Sequence, residues 1–253
     1  MSGARGRALT PLEANERARA VLVGSALVTA VLYVVPYGHT IGYPLMLLST
    51  LAHEMGHGVA AMLVGGHFED FHMWADGSGV ARSMVPTGRV THALVAAGGL
   101  VGPALVAAVG FFIGRYPVRA RRGLLVASIV MALALVVVVR GAFGMFFVAA
   151  TAAACAAVAV RAPPWASQVT VLFLAAQLAL SVFSRGDYLF TDTAQTSTGL
   201  MPSDVAQIAN NLWLPYWFWG ALCGAFSVAV LVLGIVLLWR APQVTRGGDA
   251  APR

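Results

Sequence analysis

Long apolar runs, divided by short polar or Gly/Pro-bearing links, set the pattern of this chain. The runs cover residues 20–36, 43–64, 91–114, 123–139, 142–160, 163–183 and 213–239. Each reaches the roughly 17 to 25 residues that a helix needs to cross a bilayer. Six or seven transmembrane helices follow, depending on whether Arg140-Gly141 divides the run from 123 to 160. The links are punctuated as helix ends require: Pro36 closes the first run and Gly65-Gly66 the second. The first run lacks a small-residue cleavage site and reads as a retained helix.

Two polar internal segments interrupt this pattern, at 67–90 and 184–212. In the first, Phe71-His72-Met73-Trp74 and Val80-Ala81-Arg82 flank Asp76-Gly77-Ser78-Gly79, which predicts a turn between two short strands. The expected fold is therefore an all-α polytopic membrane protein with a short β-hairpin after its second helix. One integral membrane domain spans 20–240, between polar tails at 1–19 and 241–253.

Composition agrees with this reading. The 253 residues are 59% hydrophobic and only 10% charged, where a soluble domain carries about 25% charged residues. The net charge of +6 arises from sixteen Arg and no Lys. Those Arg lie in tails and links, the place of solvated membrane flanks, so nucleic acid is not an expected partner. Cys155 and Cys223 fall inside apolar runs and read as small buried hydrophobes.

Chemistry concentrates in the second run, at His53-Glu54-Met55-Gly56-His57. Four residues apart on a helix, His53 and His57 project from one face, the spacing with which two imidazoles grip one zinc ion. Glu54 beside them is placed to act as general base on a water molecule. Ionisable side chains at membrane depth are costly, which argues against two His and a Glu merely filling space. A zinc hydrolase needs a third protein ligand. His67 and His72 lie beyond the glycine pair and His39 and His92 at run ends, so carboxylates are the better candidates. Asp70 and Asp76 belong to the turn region, where Asp is favoured for backbone reasons. Asp187, Asp192 and Asp204 remain, all between the last two long runs, although Ser203 or Asp204 could also serve as a helix N-cap.

The motif His53–Gly58, the Gly65-Gly66 pair and Asp76–Val80 together resemble the site-2 protease-like membrane zinc metallopeptidases. Ser203-Asp204-Val205 is similar to a Ser-Asp-Ala-type element before the last span in the compact branch that lacks a PDZ domain. The run Gly98–Pro103 is similar to the Gly-rich third helix of that branch, while the Leu-Asp-Gly-type motif of classical members is absent. The resemblance implies His53 and His57 as zinc ligands, Glu54 as catalytic base and an Asp as third ligand, with Asp204 placed ahead of Asp187. It also implies a substrate that is a membrane protein with a transmembrane segment. The expected setting is a bacterial plasma membrane. The rival reading is a non-proteolytic metal-binding scaffold or transporter; against it, the middle runs carry almost no polar groups.

Overall fold

The computed structural model describes residues 11–184, 189–197 and 199–239. Eight helices stand among them: α1 (Pro11–Val34), α2 (Gly38–Leu63), α3 (Arg89–Gly114), α4 (Pro117–Val137), α5 (Ala142–Arg161), α6 (Pro164–Ser184), α7 (Asp204–Leu212) and α8 (Tyr216–Trp239). Five strands accompany them: β1 (His67–Met73), β2 (Gly79–Met84), β3 (Val139–Arg140), β4 (Thr193–Thr196) and β5 (Gly199–Pro202). Among the described residues, five helices are long and apolar enough to cross a membrane: α3, α4, α5, α6 and α8. With 26 residues, α2 matches α3 in length but is not among the five, because His53, Glu54 and His57 occupy its interior. The outward faces suit a lipid solvent: on α4, Val126, Ile129, Leu133 and Val136 share one helical stripe and are all exposed.

Several boundaries differ from the sequence pattern. Residues 11–19, expected in the polar tail, already belong to α1. The Arg-rich link at 115–122 is largely the first turns of α4, where Pro117 sits at a position that needs no backbone N–H. Arg140-Gly141 does separate two helices, but through β3 and not a bare break. Residues 184–212 hold a second hairpin, β4–β5, and the helix α7.

The predicted hairpin after α2 is present, with strands longer than expected. β1 pairs antiparallel with β2, from His67 opposite Met84 to Met73 opposite Gly79, with an irregularity between Phe68 and Asp70. Its other edge pairs in parallel with β3, Phe71 opposite Val139, giving the sheet order β2-β1-β3. Phe71 and Met73 are buried with Leu47, Leu51, Val138, Val139 and Val148, so this hairpin is part of the core.

α2 and α3 pack antiparallel against each other over glycines. A methyl group on Gly56 would fall 2.3 Å from the Gly98 carbonyl oxygen, and one on Gly102 would fall 2.8 Å from the Ala52 carbonyl oxygen. Small residues are what permits this approach in a bilayer, where packing replaces the hydrophobic drive between helices.

Candidate metal centre

The first two side chains of the centre come from α2. Its C-terminus is closed by Gly65 at φ +84, with Gly65 N–H donating to Met62 and Gly66 N–H to Ala61, a Schellman closure that only glycine adopts freely. The helix therefore runs uninterrupted through the motif. His53 and Glu54 are buried and His57 is half-buried.

The ring of His57 is oriented by α3. Its Nδ1 lies 2.8 Å from the Val95 carbonyl oxygen. A carbonyl can only accept, so Nδ1 carries a proton, and in the neutral ring Nε2 is the nitrogen left with the lone pair that a metal ligand needs. Room for the ring comes from Gly99, where a methyl group would lie 2.2 Å from His57 Nε2. The glycine run of α3 thus accommodates a site side chain as well as the helix approach.

Asp204 arrives on α7. The Ser203 hydroxyl accepts the Ala206 N–H at 3.2 Å and donates to the Thr191 carbonyl at 2.7 Å, so Ser203 is the N-cap. Asp204, the first helical residue, is left with its side chain free to point inward. Val205 and Ile208 hold the helix down against Ala93, Ala96 and Leu100 of α3 and Cys223 of α8. Asp204 Oδ2 then lies 2.9 Å from His53 Nε2 and 3.4 Å from His57 Nε2, and the two Nε2 atoms are 3.2 Å apart.

These three separations test the fit to a metal. Ligand atoms about 2.05 Å from a tetrahedral zinc lie about 3.3 Å from one another. The donor set, two imidazoles and a carboxylate, suits zinc, and Asp204 Oδ2 is buried against the two imidazole nitrogens. The residues fit. His53, His57 and Asp204 could hold a metal ion between them.

The other candidates fall elsewhere. Asp187 lies outside the described residues. Asp192 is exposed, and its carbonyl accepts the Ser203 N–H. His67 and His92 are exposed. His72 lies 3.5 Å from Asp70 and stacks on Trp74. Asp70 receives the Arg82 guanidinium, whose Nε donates at 2.7 Å, and this holds its carboxyl below the usual carboxylate range. Hydroxyls of Ser197 and Ser78 do the same for Asp76.

The family model described as peptidase M50B-like matches residues 24–234, a stretch that contains the motif, the Gly98–Pro103 run and Asp204. The chain belongs to the peptidase M50B-like family. Comparison with curated proteins and with solved structures finds no match. The family and the five apolar helices together point to a membrane metallopeptidase, in keeping with the site-2 protease-like resemblance of the motifs.

In this M50B-like chain the surroundings of Glu54 were not legible from spacing. A methyl group on Gly79 would fall 2.8 Å from Glu54 Cγ and 3.0 Å from its Oε1, so the first residue of β2 rests on the carboxylate side chain. Thr50, one turn before Glu54, is buried and donates to the Gly77 carbonyl at 2.8 Å. The signal for Thr50 was its place one helical turn from Glu54; for Gly79 it was the Gly-Ser-Gly turn.

Proposed function

We propose that this chain is a zinc-dependent intramembrane endopeptidase that hydrolyses peptide bonds in or near the transmembrane segments of other membrane proteins. What carries the reading is the convergence of His53 Nε2, His57 Nε2 and Asp204 Oδ2 at tetrahedral-edge separations, beside Glu54 in a family of membrane metallopeptidases. His53, His57 and Asp204 are the zinc ligands in this reading. Zinc when bound supplies Lewis-acid polarisation and brings the pKa of water toward neutrality.

The remaining steps belong to the chain's own residues. Glu54 accepts the proton of the attacking water and returns it to the leaving amine nitrogen. Val95 keeps His57 in the tautomer that offers Nε2. Ser203 fixes the start of α7 and with it Asp204. Within a bilayer a substrate helix protects its peptide bonds by its own hydrogen bonds, so cleavage needs a locally unwound segment. The partners are a membrane protein substrate and the lipid bilayer, with no role for nucleic acid.

The test is reconstitution in vesicles with single-span membrane proteins and mass spectrometry of the products. Wild type is expected to generate new termini within or beside the span, and Glu54→Gln to generate none. Identical fragments from both would contradict the reading, as would intact substrates with a zinc-loaded wild type; that second outcome favours a metal-binding scaffold or transporter.

A further inference from the structure

The metal centre is closed to a polypeptide. His53, Glu54 and Asp204 are 7%, 6% and 5% exposed. Glu54 is walled by Gly79 of the β1–β2 hairpin, and Asp204 is rooted beneath the β4–β5 hairpin through Ser203. The two hairpins thus flank the two carboxylates, one on each.

Their tips are joined. The Ser197 hydroxyl donates to Asp76 Oδ2 at 2.5 Å, and the Ser197 N–H donates to Ser78 Oγ at 3.3 Å. The two serine hydroxyl oxygens lie 3.1 Å apart. Ser78 in turn donates to Asp76 Oδ1 from both its N–H, at 2.9 Å, and its hydroxyl, at 2.7 Å. Three side chains thus tie a turn that follows α2 to a turn that precedes α7, 121 residues apart.

The two sides of this clasp are unequally anchored. β1–β2 is held by Phe71 and Met73 in the core, by β3, by the Thr50 bond to Gly77 and by the Tyr43 hydroxyl bond to the Ala75 carbonyl. In β4–β5 every residue of β5 is exposed, and in β4 only Ala194 is buried. Between that hairpin, α7 and the start of α8 lies a cleft of about 500 Å³, lined in part by Thr193, Leu200, Met201, Asn210 and Tyr216. Few buried contacts and a cleft on one side are the marks of an element that opens at low cost.

We infer that β4–β5 is a lid on the metal centre, latched by the Asp76–Ser78–Ser197 clasp, which lifts about its Ser203 root to admit an extended polypeptide. The identity of what enters rests on the peptidase reading; the lifting does not.

The test uses the full chain in vesicles, in a Cys155→Ala/Cys223→Ala background. Ser78→Cys with Ser197→Cys places two thiols where a disulfide can form. The probe is a single-span peptide of about 25 residues with a central diazirine, photo-crosslinked to the Glu54→Gln form. Oxidation is expected to cut capture roughly tenfold, with recovery on reduction. Equal capture by the oxidised and reduced forms overturns the lid. A second arm, Ser197→Ala, is expected to speed amide exchange in 193–197 and 199–202 by about threefold or more while α2 keeps its protection. Unchanged exchange in the hairpin overturns the latch whether or not the probe is captured. Capture by wild type without cleavage sinks the peptidase reading and leaves the lid standing.

Discussion

β1–β2 and β4–β5 are both short antiparallel hairpins beside the candidate metal centre, and they differ in what lies behind them. Behind β1 are α2, α5 and the two residues of β3, and its burial rises along the strand until Phe71 and Met73 are enclosed. Behind β4–β5 there is a cleft, and its strands expose Leu200 and Met201. Pairing alone does not make a hairpin rigid, because an isolated two-stranded hairpin is marginal in stability. The neighbours decide. The first hairpin is a wall that rests on Glu54; the second is a cover rooted at Ser203.

The largest contrast lies in the core. Phe71→Ala is expected to destabilise by about 3–5 kcal/mol, through the lost ring and the cavity it leaves. Leu200→Ala on β5 stays within about 0.5 kcal/mol. Thermal unfolding in detergent measures both, and similar losses would erase the distinction between the hairpins. Gly99→Ala carries the next effect. Its methyl displaces the His57 ring, so zinc affinity falls by roughly 10- to 100-fold while circular dichroism still reports the helices. Unaltered affinity would mean that α3 does not shape the site.

Thr50→Val leaves the buried Gly77 carbonyl without its donor, at about 1–3 kcal/mol, and Thr50→Ser restores most of it. The smallest effect concerns Asp70. Arg82 lowers its folded pKa, so the pair's contribution is present above about pH 4 and is lost as pH falls through the depressed folded value. Arg82 is exposed, which keeps the contribution small. In melting curves taken between about pH 7 and about pH 3, wild type is expected to lose slightly more than Asp70→Asn. Parallel curves would remove the pair from the account of the wall.

Local signals carried the first hairpin and not the second. Asp76-Gly77-Ser78-Gly79 between two short β-prone segments announces a turn, whereas Thr193–Thr196 and Gly199–Pro202 show no alternation of apolar and polar residues. β3 was hidden for another reason: two residues pair in parallel with β1 only because α4 ends beside it, a non-local fact. The motif pair His53 and His57 was legible because one helix fixes their spacing. Asp204 could be placed among three acids but not singled out by residue spacing, since its approach depends on α7 packing across α3 and α8. For the cap, sequence left Ser203 and Asp204 as alternatives. The structure divides the roles, with Ser203 capping and Asp204 facing the imidazoles.

Zinc content of the purified wild type, Glu54→Gln and Asp204→Asn chains, measured side by side, decides whether His53, His57 and Asp204 hold a metal. About one zinc per chain is expected in wild type and Glu54→Gln, and little in Asp204→Asn at the same protein concentration. Full zinc occupancy in a folded Asp204→Asn chain, or none in wild type, would contradict it.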